Sequence, residues 1–154
     1  IISKGGGFDS HHNPGWGITY AGSPQILYLL VGNGTSHIEY YTGYHDISEW
    51  THLGLMRDES NKIYFIQNGT VIDTGRTLAG NVNNSIDLTF GKNNIYSNTL
   101  NGSIDKAGLW NGALSTSEIS SIYQDGVSNV NIPEPSVLLT LILGSLCFFM
   151  KKYL

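Results

Sequence analysis

Histidines are the side chains of this sequence best suited to metal chemistry, and their spacing indicates whether they could share a metal ion. The five histidines fall in none of the spacings used by zinc sites, and the single cysteine offers no companion ligand set. His11 and His12 lie in the stretch DSHHNPG, which is typical of a polar surface turn. The other three are His37, His45 and His52. The pattern therefore favours surface histidines over a zinc centre.

Carboxylates could act as acid–base pairs, for example in glycoside hydrolysis, where a retaining enzyme needs two of them about 5 Å apart. In this chain they are scattered over predicted turns and strand ends, the pattern of a solvated surface. The main examples are Glu39, Glu49, Asp58, Glu59 and Asp73. The chain also lacks a Gly-x-Ser-x-Gly elbow and a phosphate-binding loop. We therefore expect no enzymatic activity.

Aromatic side chains leave sugar binding as a further kind of chemistry. Exposed rings can stack on sugar rings while nearby polar groups bind the hydroxyls. The candidate ligand-binding residues are Trp16, Tyr20, Tyr41 and Tyr44. The alternative, that tryptophans such as Trp16 pack in or around the core, stays open and is the simpler interpretation.

Length and composition limit what kind of protein can carry these residues. The chain has 154 residues, enough for one ordinary domain and a tail. It has 19 glycines and only 13% charged residues, which favours strands joined by tight turns. The net charge of −4, without a basic patch, argues against nucleic acid as a partner. We therefore expect an all-β protein, and its single cysteine excludes a disulfide framework.

Alternating apolar and polar residues predict where the strands lie. The clearest signal is KIYFIQNGTVIDTG, where Asn-Gly at 68–69 favours a two-residue turn that pairs Ile66 with Val71. In GSIDKAGLWN, alternation places Ile104 and Trp110 on the same side of a strand. Further strands are predicted in the stretches WGITYA, QILYLLVG, SHIEYYTG, WTHLGLMRD and SIDLTFG.

The stretch ALSTSEISSIYQDG predicts one helix among the strands. Ser115 can cap its first turn while Glu118 reaches back to the Ser115 backbone, as in a capping box. Ile119 and Ile122 share one face, and Gly126 ends the helix. We expect this helix to act as a lid on the fold rather than to carry function.

The C-terminus is apolar, in contrast to the rest of the chain. The fourteen residues from 137 to 150 carry no charge, and Lys151 and Lys152 follow directly. As a helix they would be about 21 Å long against a hydrocarbon core of about 30 Å, which flanking lysines can help to span. We expect a membrane helix with its lysine end in the cytosol. Its apolar residues are Val137, Leu138, Leu139, Leu141, Ile142, Leu143, Leu146, Phe148, Phe149 and Met150.

Two long stretches combine a tryptophan strand, an Arg-Asp turn, an Asn-Gly hairpin and a closing strand with a helix. They are WTHLGLMRDESNKIYFIQNGTVIDTG and LNGSIDKAGLWNGALSTSEISSIYQDG. In this order they resemble the laminin-G-like branch of the concanavalin A-like sandwich families. The resemblance implies an antiparallel jelly-roll sandwich over residues 1–127, incomplete at its N-terminus because the family's first strands would come earlier. The resemblance also implies a Ca²⁺ ion, with Asp105 as its candidate ligand. The alternative, that Asp105 makes hydrogen bonds at a turn or strand end, stays open.

A linker over residues 128–132 is predicted to join this domain to a tail over residues 133–154. In the tail Pro133-Glu134-Pro135, the apolar run and the basic end resemble the PEP-CTERM sorting signal of Gram-negative bacteria. The resemblance implies an exosortase-type membrane protease as partner. Prolines on both sides of Glu134 keep this segment extended and accessible. The expected location is the inner membrane before processing, then the cell surface or extracellular matrix.

Taken together, these expectations describe an exported bacterial surface or matrix protein that carries a non-catalytic carbohydrate-binding or adhesion module. Its expected partners are the protease, the inner membrane and extracellular glycans. A ligand-free structural spacer in an extracellular polymer is one alternative. A degenerate glucanase is a less favoured one, because no Glu-x-Asp-x-x-Glu run occurs in the chain.

Overall fold

The computed structural model is a sandwich of two antiparallel five-stranded sheets and describes residues 2–5, 13–21, 26–44, 48–92, 99–126 and 145–152. The elements are β1 (Ile2–Gly5), β2 (Gly15–Ala21), β3 (Ile26–Gly32), β4 (His37–Tyr44), β5 (Thr51–Arg57), β6 (Lys62–Gln67), β7 (Thr70–Thr77), β8 (Leu88–Phe90), β9 (Gly102–Trp110), α1 (Thr116–Asp125) and β10 (Ser145–Lys152). Sheet A has the strand order β4-β3-β2-β1-β8, and sheet B has the order β7-β6-β5-β10-β9.

Sheet A consists mainly of the meander β2–β3–β4, which the alternating sequence predicted. Ile18, Leu29 and Tyr40 are register partners across the three strands and pack towards sheet B. Because side chains alternate along a strand, the residues between them lie on the outer face of the sheet. The predicted strand SIDLTFG is shorter in the structure, since Ile86 lies before β8 and is 43% exposed.

Sheet B contains the hairpin of β6 and β7, and here the sequence prediction is confirmed. Asn68 has φ +47° and Gly69 has φ +76°, the two consecutive positive values that the turn requires. Ile66 pairs with Val71 as predicted. The turn dipeptide therefore sets the register of the two strands.

Apolar side chains form one core between the sheets and a second cluster outside sheet B. The inter-sheet core contains Ile2, Trp16, Ile18, Leu27, Leu29, Val31, Ile38, Leu53, Leu55, Ile63, Phe65, Leu78 and Val82. The second cluster contains Met56, Ile66, Leu114, Ile119, Ile122 and Cys147. Sheet B is therefore apolar on both faces. One face packs against sheet A, and the other packs against α1 and Leu114.

Helix α1 forms as its sequence predicts. The Ser115 hydroxyl accepts from the Glu118 amide, and the Glu118 carboxylate accepts from the Ser115 amide at 2.7 Å. Ile119 and Ile122 are fully buried. At the other end the Gly126 amide donates to the Ile122 carbonyl at 2.9 Å, which ends the helix. The capping box places the apolar face of α1 on sheet B.

A β-bulge in β9 corrects the prediction made for its two faces. Lys106 has φ +51°, and the pairing with β10 shifts register at this point. A bulge adds one residue to a strand and inverts the alternation beyond it. Ile104 therefore packs against the inter-sheet core while Trp110 packs against the cluster under α1, so their predicted placement on one side is wrong.

The predicted C-terminal membrane helix is not what the structure shows for residues 145–152. These residues form β10, which pairs antiparallel with β5 on one side and β9 on the other. An apolar run suits a strand buried on both faces as well as a helix, and backbone groups of β5 and β9 gain partners here. Four residues of the predicted helix therefore lie in a strand in this structure; they are Leu146, Phe148, Phe149 and Met150.

The two lysines of the predicted tail also belong to this strand. Lys151 and Lys152 end β10, where they pair with Ser103 and Gly102. Among the described residues no helix has the length and apolarity needed to cross a bilayer. The remaining tail residues lie outside the described part of the chain; they are Pro133, Glu134, Pro135, Val137, Leu138, Leu139, Leu141, Ile142 and Leu143.

Candidate functional site

The structure separates the four aromatic candidates for ligand binding. Trp16 is only 4% exposed and belongs to the inter-sheet core, which agrees with the alternative that it is a packing residue. Tyr20 is half-buried and packs against the same core. Tyr44 ends β4, and its side chain is outside the description. Tyr41 is 58% exposed and is the candidate that solvent can reach.

Tyr41 is part of a small surface group on the outer face of sheet A, which we call the tyrosine patch and define as Tyr28, Glu39 and Tyr41. Tyr28 and Tyr41 are register partners on β3 and β4, and their ring centroids lie 5.5 Å apart at an interplanar angle of 33°. Glu39 lies two residues before Tyr41 and so shares its face. The Tyr41 hydroxyl donates to Glu39 Oε2 at 2.6 Å.

The hydrogen bond between Tyr41 and Glu39 sets the electrostatics of the patch. It is the main cause that raises the pKa of Tyr41 above 10.0, with burial and the charge of Glu39 as smaller causes. The phenol therefore stays protonated at neutral pH and holds the carboxylate beside the exposed ring. The patch offers an aromatic surface with an adjacent acceptor for hydroxyl groups, which is the combination that sugar-binding sites use.

Two other residues on this outer face are buried. Leu30 on β3 is 1% exposed, and Ser3 on β1 is 2% exposed. The hydroxyl of Ser3 lies 3.0 Å from that of Thr89, which links β1 to β8. Tyr41 is thus far more exposed than either of these residues.

Metal binding finds little support in the described residues. No group of three or more His, Cys, Asp or Glu side chains within them could hold an ion. Asp105 lies in β9 opposite Phe149, is exposed, and precedes the bulge at Lys106. His11, His12 and His45 lie outside the described part of the chain. A role for Asp105 in binding Ca²⁺ stays a prediction.

His52 is buried and makes structural contacts. Its Nδ1 accepts from the Gly69 amide at 3.2 Å, and its ring stacks on Tyr123 of α1 with centroids 5.8 Å apart. Burial lowers the pKa of His52 from 6.5 to about 4, so the imidazole is neutral at physiological pH. His52 and Tyr123 of α1 thus fix the position of the β6–β7 turn.

The Arg-Asp turn between β5 and β6 is also structural. Asp58 accepts from the Lys62 amide at 2.9 Å and from the Tyr64 hydroxyl at 3.0 Å. A hydrogen bond from Ser60 is the main cause that lowers the pKa of Asp58. Arg57, only 9% exposed, donates to the Gly80 carbonyl at 2.8 Å and anchors the following loop. The Asp58 carboxylate therefore closes the turn between β5 and β6.

Comparison with known proteins agrees with the sandwich fold. Residues 1–120 match a laminin G family model described as concanavalin A-like lectin/glucanases superfamily. The chain therefore belongs to this superfamily. Neither a curated protein nor a solved structure matches it significantly. Membership agrees in general with a carbohydrate-binding or adhesion module.

Sequence analysis missed two members of the tyrosine patch, Tyr28 and Glu39. Both occur in stretches that were correctly predicted as strands. Their association follows from the pairing of β3 with β4, which shifts register between Ile26 and Tyr28. The i, i+2 spacing of Glu39 and Tyr41, which places both on one face of a strand, could have found Glu39. Tyr28 carries no such local signal, because it meets Tyr41 only through strand pairing.

Proposed function

We propose that this domain is a non-catalytic carbohydrate-binding or adhesion module whose ligand site is the tyrosine patch. The single observation that carries the proposal is the exposed Tyr41 ring, which is supported by Tyr28 and hydrogen-bonded to Glu39. In this proposal the ring stacks on the apolar face of a sugar, while Glu39 accepts hydrogen bonds from its hydroxyls.

The direct test is glycan-array binding of the purified protein, with and without Ca²⁺, followed by titration of the best ligand. Tyr41→Ala is expected to weaken binding by about tenfold or more, because it removes the central ring. Tyr41→Phe keeps the ring and loses one hydrogen bond, so a loss of about fivefold is expected.

Trp50→Ala is the matched control, because Trp50 is 48% exposed but lies outside the patch. It should leave affinity unchanged. Equal losses in Tyr41→Ala and Trp50→Ala would contradict the assignment of the site. Silence of the wild-type protein under both ion conditions would instead favour the ligand-free spacer.

We further propose that the protein is exported, held in the inner membrane by its C-terminal segment and processed at Pro133-Glu134-Pro135 by an exosortase-type protease. It would then reach the cell surface or the extracellular matrix. The support is the order of the tail: two prolines around an acid, an uncharged apolar run, and then Lys151 and Lys152.

Mass spectrometry of the mature C-terminus in the native host tests the sorting proposal. Cleavage next to Glu134 is expected, together with loss of cleavage and retention in the membrane fraction after Glu134→Ala. A mature protein that still ends in Leu154 and stays in the cytosolic fraction would refute it.

A further inference from the structure

Strand β10 lies between β5 and β9 in sheet B, and we call the space between these two strands the slot. Its residue Cys147 pairs with Gly54 of β5 on one side and with Gly108 of β9 on the other. The pairing with β5 runs without a shift from Ser145 to Met150. The backbone of this segment is thus hydrogen-bonded within sheet B in the manner of a central strand.

The slot is apolar on both of its faces. Register places positions 146 and 148 of β10 opposite Leu55 and Leu53, two residues of the inter-sheet core. Cys147 is fully buried in the other cluster, below α1. A strand that fills this slot has to be apolar at successive positions, as central strands buried on both faces are.

The same property defines a segment that can enter a bilayer. A lipid-exposed segment must satisfy its backbone groups internally, as a helix does, and cannot keep partners in β5 and β9. Strand pairing in sheet B and membrane insertion are therefore mutually exclusive states of residues 145–152. Departure of β10 would leave two unpaired strand edges, which favour rebinding of an extended segment.

We propose that the slot between β5 and β9 is a binding site for an extended apolar strand, and that Ser145–Lys152 occupies it in water and leaves it for a bilayer. The domain thus shelters its own membrane segment until lipid is available. The lipid-bound state rests on the sorting proposal above, whereas the slot rests on the pairing of β10. The occupant is the same chain's C-terminus, because this is the segment seen in the slot.

A disulfide can lock the segment in the slot and so test the proposal. Directly opposed residues of antiparallel strands lie about 4.5–5.5 Å apart at Cα, within the range that a disulfide spans. Cys147 is the only cysteine of the chain, so Gly54→Cys supplies one partner without other substitutions. Gly54→Cys/Cys147→Ser is the matched control that cannot form the bond.

The measurement is flotation of the full chain with phosphatidylcholine/phosphatidylglycerol vesicles, with and without reductant. Oxidised Gly54→Cys is expected to stay in the aqueous fraction, with vesicle binding at least tenfold below that of its reduced form. The control should float equally in both conditions. Oxidised protein that floats as well as reduced protein would overturn the exclusion between the two states.

Three other outcomes are also decisive. A folded Gly54→Cys that keeps two free thiols under oxidation, or that forms only disulfide-linked dimers, would overturn occupancy of the slot by its own segment. Wild-type and reduced proteins that never float would overturn the membrane part of the sorting proposal and the release step, while an intrachain bond would still support the slot.

The wild-type protein provides a check that is independent of the folding of any variant. In water, alkylation of Cys147 should be at least about a hundredfold slower than in denaturant, because β10 must open before the thiol can react. Equal rates in the two conditions would overturn occupancy of the slot.

Discussion

The outer faces of the two sheets differ in what lies on them. On sheet B, Ile119 and Ile122 of α1 are fully buried against Met56 and Ile66. On sheet A, Tyr41 is 58% exposed, lies beside the Tyr28 ring and donates a hydrogen bond to Glu39. The outer face of sheet B therefore contributes to stability, whereas the outer face of sheet A leaves the Tyr41 ring exposed to solvent. Substitutions on the two faces should accordingly separate into losses of stability and losses of binding.

Removal of the helix contact on sheet B should have the largest effect. Ile122→Ala leaves a cavity at a fully buried position and is expected to cost about 2–4 kcal/mol of unfolding free energy. Urea unfolding followed by circular dichroism measures this loss. A cost below about 1 kcal/mol would mean that α1 contributes little to the covered face.

Acid should lower the free energy of unfolding, because His52, which is buried against α1, becomes protonated on unfolding. Its pKa in the folded protein, about 4, lies below its ordinary value of 6.5, so the unfolded chain takes up the proton first. This stability is complete above pH 6.5 and is lost as pH falls towards 4; between pH 7 and pH 5 the loss is about 2 kcal/mol.

Unfolding free energies measured across this pH range test the effect of His52. His52→Gln should remove this part of the pH dependence, whereas His37→Asn, on sheet A, is the matched histidine control. An unchanged slope in His52→Gln would show that other groups cause the acid sensitivity.

Two glycines isolate the contact between the hairpin turn and α1. Gly69 has φ +76°, and a Cβ there would lie 2.9 Å from Tyr123, whereas Gly75 has φ +66° and nothing within 4 Å. Gly75→Ala should cost about 1 kcal/mol through backbone strain alone, and Gly69→Ala about 1 kcal/mol more. Thermal unfolding of both variants gives the difference. Equal costs would show that Tyr123 moves aside freely.

The smallest effect on stability is expected on sheet A. Tyr41→Ala should change the free energy of unfolding by less than about 0.5 kcal/mol, because the side chain is exposed and its hydrogen bond is at the surface. Calorimetry of the variant measures this directly. Unimpaired folding together with lost glycan binding would give the sharpest form of the difference between the faces, and a large loss of stability would remove it.

Most of the sandwich could be predicted from local sequence. The Asn-Gly turn at 68–69, the alternation in β2 to β6 and the capping box of α1 each depend on residues a few positions apart. Their geometry is set by backbone preferences and short-range hydrogen bonds. These elements match the structure because their conformation does not depend on contacts with residues far away in the sequence.

The tyrosine patch could be predicted only in part. Tyr41 was named from its residue type, whereas Trp16, equally aromatic, is buried in the core. Exposure depends on which face of a strand meets the other sheet. Tyr28 joins the patch through pairing across two strands, and local composition does not encode that partner.

The sequence by itself determined most of the strands, the Asn-Gly turn, the helix and its caps, because these follow from side-chain type and short spacing. Tertiary structure alone decided the bulge at Lys106, the burial of Trp16 and the pairing of Ser145–Lys152 with β5 and β9. The physical reason is that an apolar run only requires removal from water. Whether a sheet or a bilayer meets that requirement depends on distant strands and on the surroundings of the protein.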